Sequence, residues 1–564
     1  MRWCAWTVVV IAIAFSTFTR VRLAASPLER DEGEYAYAGQ LILQGIPPYQ
    51  MACNMKLPGT YLGYAGLMAI FGEDVVGIHL GMLAVNVASI LLLFLFTREL
   101  FDPLSAAIAA AVFTVLAGSP SVLGMAGHAT HFIVLFALPG VWMLWRAIQR
   151  DKIWLLFLAG VFLGLAFLMK QQAMFLVGFG GVMAFLGCER QQRFFSRRNL
   201  ARCWAYAAGA AIPLLSVGLW LWLAGTFDKF WFWTVQYARA YVSQIPLWQA
   251  GYTFWFSVCS VVGPHWILWT LAALGGFRLA RVGGVRWRRT FVFGFAACSF
   301  LCVCPGFFFR QHYFVVFLPS IAMLAGFAST EWIRMVSRLQ LDNLLLGAYA
   351  EPNATSPDEP LPKIDALPNP LRPVWAVCQA FLIILLPLAA LLFPVFCQSA
   401  YYFSWSPKLA CSLVYAENPF VESLVIADYI QKHTDPTARI AVLGSEPEIY
   451  FYANRKSATG CIYMYPLMEN QPFARTMQDE AIAEIEAAKP EYMVLVSAFT
   501  SWLGQPTSDK HILQWFDRYA AANYRPVGLI DIISPTKTTY RWDNEMDGAW
   551  PASPLHVWVF KRNR

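Results

Sequence analysis

Apolar residues run along this chain in blocks of helical length, broken by short polar turns rich in arginine. The blocks fall near 3–20, 75–97, 104–120, 128–146, 153–169, 172–188, 203–225, 252–276, 290–305, 313–332 and 373–397. A helix rising 1.5 Å per residue needs about 20 apolar residues to cross a hydrocarbon core about 30 Å thick. The pattern therefore predicts a mainly α, polytopic membrane protein of about eleven transmembrane helices, within a range of ten to thirteen. The first block follows Arg2 and runs straight into a charged cluster, so it reads as an uncleaved anchor rather than a signal peptide.

Two stretches break this rhythm. Residues 340–372 are rich in Pro, Asp and Asn, as in a linker without a packed core. Residues 398–564 change period. Arg439–Gly444 reads as a buried strand, Ser445-Glu446-Pro447-Glu448 as a helix start with Ser445 as the N-cap, Gln478–Ala488 as an amphipathic helix and Tyr492–Val496 as a second strand. That alternation predicts a soluble α/β domain. The expected organisation is a transmembrane catalytic domain over 1–397, containing a first outer loop at 26–60 and the Pro-rich linker at 340–372, followed by an extracytoplasmic domain over 398–564.

Composition removes the soluble alternative. Hydrophobic residues make up 58% of the 564 and aromatic residues 16%, more apolar surface than a water-soluble fold of this size hides. The net charge of +7 is a topology signal, not a nucleic-acid footprint. Lys and Arg crowd alternate loops, at 146–152, 190–202, 278–289 and 334–338, and are sparse in the others. The positive-inside rule then turns the 30–60 loop and the tail after 398 outward, at the plasma (inner) membrane, towards the periplasm or exterior. Twelve cysteines show no metal spacing, and one disulfide among Cys53, Cys397, Cys411 and Cys461 is open on the oxidising side. Asn353-Ala354-Thr355 fits a glycosylation sequon, but on the cytoplasmic side.

Candidate chemistry concentrates in the first outer loop. Arg30-Asp31-Glu32-Gly33-Glu34-Tyr35 follows the first span in a chain only 14% charged, and ionisable groups at a membrane face are costly to hold there. The segment Glu32–Gln44 has helical spacing, with Tyr35, Gly39 and Ile42 on one face, and is too short and polar to cross; it is expected to lie along the interface. Asp31 and Glu32 fall in its first turn, where the helix dipole favours carboxylates, so capping alone would explain them. Two adjacent carboxylates, a following Tyr pair and Lys56 in the same loop favour a site. The loop continues through Gly45-Ile-Pro-Pro-Tyr49 to Lys56-Leu-Pro58-Gly59.

The Asp-Glu pair after the first span, the Gly-x-x-Pro-Tyr turn and the Lys-x-Pro-Gly run resemble the first outer loop of the C-type (GT-C) integral-membrane glycosyltransferases, in particular the protein O-mannosyltransferase and lipid A aminoarabinose transferase groups. The resemblance implies an enzyme that moves a sugar from a polyprenyl-phosphate-linked donor in the bilayer to a hydroxyl of an envelope acceptor, whether lipid, glycan or protein, with inversion. It implies Asp31 as general base, Glu32 orienting the acceptor or sharing its proton, and Lys56 on the donor phosphate. Trp231–Tyr241 is similar to an aromatic loop ending in a phosphate-binding arginine, which makes Arg239 a candidate; an interfacial aromatic belt explains the same residues equally well. Arg310, before the 313–332 block, is a third phosphate candidate. Tyr35, Tyr49, His131, Lys170, Tyr237, His312 and Tyr313 are candidate substrate contacts. His128 and His131 share a helix face, but without a third ligand no metal is expected; the reading needs no cofactor, although a divalent metal is compatible with it. The alternative function is a transporter or flippase of a polar lipid-linked sugar, which should show paired halves and broken helices. No such repeat is visible.

Overall fold

The structure is a computed structural model and describes residues 2–187, 196–282, 286–349 and 385–563. Its first seven helices are α1 (Arg2–Arg22), α2 (Arg30–Leu43), α3 (Gly59–Phe71), α4 (Val75–Leu100), α5 (Pro103–Ala117), α6 (Ala129–Arg150) and α7 (Ile153–Met169). Apolar helices continue at Met174–Leu186, Arg197–Leu223, Leu247–Val262, Trp266–Arg281, Arg286–Leu301 and Leu318–Tyr349, and at 385–397. Among the described residues, five helical runs are long and apolar enough to cross a bilayer unaided: Trp3–Arg22, Val75–Leu100, Ala129–Arg150, Arg197–Leu223 and Leu247–Arg281. The protein is a multi-pass membrane protein.

The hydrophobic blocks found most of these helices, with three differences. α3 falls between the 26–60 loop and the 75–97 block and is not among the predicted spans, because its thirteen residues are too few to register as one. The 252–276 block is part of a run from 247 to 281, two helices joined by a short turn at Gly263–His265. The 313–332 block opens with a tight 3₁₀ turn at Gln311–Val316, and its α-helix starts at Leu318. The first ten residues of the expected 340–372 linker continue the Leu318–Tyr349 helix instead; the rest of that linker, the Asn353 sequon, Arg190 and Arg193, and the first part of the 373–397 block lie outside the described residues.

Local chemistry sets the helix starts. Asp74 caps α4 by accepting from Gly77 N at 2.7 Å, and Asp102 caps α5 ahead of Pro103, whose missing N–H costs nothing at that position. α2 opens with a reciprocal cap: Glu29 accepts from Glu32 N at 3.0 Å, and the Glu32 carboxylate reaches back to Glu29 N at 3.4 Å.

The C-terminal part folds on a six-stranded sheet. Its strands are β1 (Arg439–Leu443), β2 (Lys456–Ser457), β3 (Tyr492–Ser497), β4 (Tyr524–Ser534), β5 (Lys537–Trp542) and β6 (His556–Arg562), in the order β2-β1-β3-β6-β4-β5. β1 pairs in parallel with β2 and β3, whereas β3–β6, β6–β4 and β4–β5 are antiparallel. The expected strands and the amphipathic helix (Ala474–Ala488) are present; the antiparallel half lacked a pattern strong enough to announce it. Ser445 does not cap a helix. The helix is Glu448–Ala453, and Ser445 Oγ instead ties the loop down, donating to Ser501 O and accepting from Met464 N.

α2 does not lie free along an interface. It is wedged between α3 and the C-terminal domain, with ten of its fourteen residues buried. Two glycines permit the wedge. A Cβ on Gly39 would stand 2.9 Å from Ala65 N, and one on Gly33 would stand 2.7 Å from Glu448 N. Arg30 crosses the seam to Asn418 and Glu446, both at 2.9 Å, with its guanidinium near the Phe420 and Tyr465 rings. Leu28 N donates to Tyr452 at 2.7 Å, and Ser457 N donates to Tyr37 at 2.8 Å. The four free thiols weighed for a disulfide divide by burial: Cys53, Cys411 and Cys461 are buried, and Cys397 is exposed.

Candidate active site

The acidic residues of α2 point two ways because successive helix positions are about 100° apart. Asp31 and Glu34, three residues apart, share one face. Both grip Lys56: its Nζ donates to Asp31 Oδ1 at 2.7 Å and to Glu34 Oε2 at 2.6 Å. Glu34 is fully buried and also accepts from Asn54 Nδ2 at 2.9 Å and from Tyr61. Asp31 keeps a fifth of its side chain exposed. Its Oδ1 accepts a second bond, from Tyr463 of the C-terminal domain, at 2.9 Å. Its Oδ2 faces His128 Nδ1 at 3.7 Å and His312 Nε2 at 3.9 Å.

Glu32 turns away from this group. Its carboxylate accepts from the Gly127 backbone, lies 3.2 Å from His79 Nε2 and completes the helix cap. Its neighbourhood is the α4 start and the loop before α6, a loop that Arg20 also holds by donating to Gly124 O at 2.6 Å. The geometry of Glu32 is that of a buried brace.

Lys56 is aimed by its loop. Tyr49, buried and at φ +65°, donates from its hydroxyl to Lys56 O at 2.7 Å. A left-handed tyrosine is costly and persists only where its surroundings hold it. Tyr35 packs beside the same cation, with Lys56 Nζ 4.7 Å from the centre of its ring, and Tyr463 covers the other side at 5.1 Å.

Two more cations lie within electrostatic reach of Asp31. Lys170 ends α7 in an extended conformation and lies 4.3 Å above the Tyr313 ring. Arg310 follows a run of left-handed residues, Gly306, Phe307 and Phe309, and projects into solvent. Among the described residues neither is ion-paired with a carboxylate, unlike Lys56. Burial pushes the Lys170 ammonium down to about 7, Lys56 and Arg310 adding to the effect and Asp31 opposing it. Burial alone would raise the Asp31 carboxyl; Lys56, then His128 and His312, overcome it and hold Asp31 well below the usual carboxylate range. Burial lowers His312 well below the usual imidazole range, His128 and Lys170 reinforcing it.

The remaining candidates separate. His312 faces Asp31 at 3.9 Å and stacks on His128 with ring centres 4.1 Å apart, and the Tyr313 ring lies against Lys170. His131 is buried one turn into α6. Tyr237 is buried and donates to Glu469, and Tyr241 stacks on Phe308 at 4.6 Å, so the aromatic loop is a seam with the C-terminal domain. Arg239 is exposed on that loop. Sequence reasoning missed Glu34 and Tyr463. Glu34 had a signal in its three-residue spacing from Asp31. Tyr463 had none, since 432 positions separate it from its partner.

Known structures share this overall fold. ArnT from Cupriavidus metallidurans, bound to undecaprenyl phosphate, is similar over 98% of both chains, with a TM-score of 0.56 and 16% identity. The Archaeoglobus fulgidus oligosaccharyltransferase, tethered to an acceptor peptide, is similar over 96% of this chain and 74% of its own, with a TM-score of 0.53 and 13% identity. The archaeal oligosaccharyltransferase AglB from the same organism, in complex with an inhibitory peptide and a dolichol-phosphate, covers 98% of this chain and 76% of its own, with a TM-score of 0.50 and 12% identity. The chain has the GT-C fold, the architecture of the C-type integral-membrane glycosyltransferases. Its residues 58–222 match the family described as "Dolichyl-phosphate-mannose-protein mannosyltransferase". Fold and family match together favour a glycosyltransferase over a flippase. No curated protein matches the chain in a sequence search.

Proposed function

We propose that the protein transfers a sugar from a polyprenyl-phosphate carrier to a hydroxyl of an envelope acceptor at the outer face of the membrane, with inversion at the anomeric carbon. The observation that carries this reading is one partly exposed carboxylate, Asp31, within electrostatic reach of two cations, Lys170 and Arg310, that among the described residues are ion-paired with no carboxylate. The acceptor oxygen attacks C1 from the face opposite the phosphate. The C1–O bond to the phosphate breaks, and its electron pair leaves with the polyprenyl phosphate. The acceptor proton passes to Asp31. A carboxylate held well below its ordinary range is a weak base, but it suffices late in such a step, because an alcohol already bonding to an electron-poor C1 is strongly acidic.

Lys170 and Arg310 then meet the charge that develops on the departing phosphate. Lys56, held by Asp31 and Glu34, fixes Asp31 and contributes its remaining charge. Arg239 belongs to the same reading only if the aromatic loop moves inward. The sugar and the acceptor class are left to experiment.

The test uses the full chain in nanodiscs, a polyprenyl-phosphate sugar labelled in the sugar, and an envelope extract as acceptor. Labelled acceptor and free polyprenyl phosphate should appear in equal amounts, and only together. Sugar moved across the bilayer with its carrier bond intact would establish the transporter instead.

A further inference from the structure

The seam between α2 and the C-terminal domain is closed at Tyr37, which accepts from Ser457 N at 2.8 Å. One turn further along α2 it opens into a cavity of about 180 Å³. At about 30 Å³ per water that is the space of about six waters, or of one sugar ring. No step of the transfer reaction uses it. A rise of 1.5 Å per residue puts Gln40 about 14 Å along the helix from Asp31, and steps of about 100° put it on the opposite face.

The local sequence builds the lining. The helix Glu448–Ala453 ends at Asn454, whose φ of +48° is a left-handed value that asparagine tolerates at a helix end. The chain reverses there, and Asn454 and Lys456 meet Gln40 and Gln44 of α2, with Leu41 and Pro436 supplying the apolar part.

Gln40 is the residue that points to a ligand. It is 5% exposed, yet its side-chain amide makes no hydrogen bond among the described residues. An unpartnered buried amide is costly, so a native fold keeps one where something else satisfies it. Gln44 Nε2 reaches Asn454 Oδ1 only at 3.5 Å, which leaves most of the bonding capacity of both amides unused. Positive charge backs these amides. The buried Arg455 guanidinium spends its donors on neutral oxygens, among them Thr434 Oγ1 and Thr434 O, both at 2.8 Å. Among the described residues neither Arg455 nor the exposed Lys456 is ion-paired with a carboxylate; Asp435, on the neighbouring turn, is bonded to Thr437.

We propose that this cavity binds one acidic sugar residue, a carboxylate-bearing pyranose of an envelope glycan. Three amides that both donate and accept match ring hydroxyls. Lys456, with the charge of Arg455 behind it, meets the carboxylate, and Leu41 and Pro436 meet the C–H face of the ring. A phospholipid headgroup offers the three amides fewer hydroxyls. A glycan held here stays at raised local concentration near Asp31. That role names an acidic glycan as the acceptor and rests on the glycosyltransferase reading; the binding does not, so its test is run without donor.

The full chain in nanodiscs of zwitterionic lipid is titrated by calorimetry with a trisaccharide containing glucuronic acid, with its carboxyl-reduced neutral counterpart and with inorganic phosphate. The acidic trisaccharide should bind, and the neutral one about tenfold or more weakly, the scale of one charge-assisted hydrogen bond. Lys456→Met should cost the acidic sugar about tenfold, and Gln40→Leu up to about tenfold. Melting temperatures should stay unchanged, because neither side chain holds another part of the protein. Should Gln40→Leu fail to fold, Lys456→Met and Gln44→Ala, both at exposed positions, decide. Affinity equal in wild type and folded variants, equal affinity for the carboxyl-reduced sugar, binding of phosphate alone, or no binding of the acidic trisaccharide at tens of millimolar would each overturn the proposal. So would loss of sugar binding in phosphatidylglycerol nanodiscs, which would assign the cavity to a lipid headgroup. Binding that behaves as expected in a protein that transfers no sugar would support the site and refute only the glycosyltransferase reading.

Discussion

Asp31→Asn and Glu32→Gln, made separately, divide the two adjacent carboxylates by function. Asparagine at 31 keeps the size of the side chain and removes its basicity. A positioned general base contributes 10²–10⁴-fold, about 3–5 kcal/mol of barrier, so kcat should fall by that factor. The structural cost is small. Lys56 keeps its 2.6 Å bond to Glu34, and an amide oxygen at 31 can still accept from Lys56 and from Tyr463. The melting temperature should move by a few degrees at most, and the donor KM by less than threefold. Glu32→Gln is the mirror case. It weakens a buried, charge-assisted bond to the Gly127 backbone and the contact with His79, a loss of about 1.5–3 kcal/mol. Its melting temperature should drop, while kcat of the folded fraction stays within about tenfold, below the contribution of a general base. The assay is release of polyprenyl phosphate per folded enzyme in nanodiscs, with thermal unfolding on the same samples. A folded Asp31→Asn enzyme that retains kcat within tenfold of wild type would refute the assignment.

Lys170 gives a pH signature. With its pKa near 7, it is charged below that pH and must take up a proton to hold a phosphate above it. Donor KM should therefore rise with pH above 7, by up to about tenfold per unit, and steady-state kinetics from pH 6 to 9 should find that slope abolished in Lys170→Arg. Lys56→Met should act differently, leaving Glu34 buried without its cation and destabilising the fold by about 3–5 kcal/mol; thermal unfolding should show the loss, whereas Lys170→Met should leave the melting temperature unchanged and raise only the donor KM.

The hydrophobic blocks made the membrane fold legible, because the length of an apolar run is itself the physical constraint. Short elements escaped: α3 is too brief to cross alone and is held by α2 and α4 rather than by its own sequence. The pair Asp31 and Lys56 was legible from charge in an apolar loop. The different work of Glu32 and Glu34 was not, since only the helical phase of α2 against its neighbours turns one to Gly127 and the other to Lys56. Contacts made from far along the chain left no local trace. His128 and His312 looked like separate histidines because their 4.1 Å stack exists only after the 3₁₀ turn packs on α6. Tyr463 became visible only when the C-terminal domain was in place.

That placement makes site and stability inseparable at one residue. Arg30 precedes Asp31 directly and donates to Asn418 and Glu446 across the seam. Gly33 meets Glu448, Tyr37 meets Ser457, and Asp31 meets Tyr463, so one face of α2 is registered by residues 446–463. Replacing Arg30 with Met keeps the packing against Phe420 and Tyr465 but leaves Glu446, which is fully buried, without its cation. Breaking a buried pair from one side costs about 3–5 kcal/mol. The seam relaxes to relieve that cost, and Asp31 sits on the moving helix. Arg30→Met should therefore lower kcat and melting temperature together, and restoring charge balance with Arg30→Met/Glu446→Gln should recover both in part. A variant that lost stability but kept full kcat would mean that the membrane helices alone set the position of Asp31, and that the hydroxyl of Tyr463 is incidental to it.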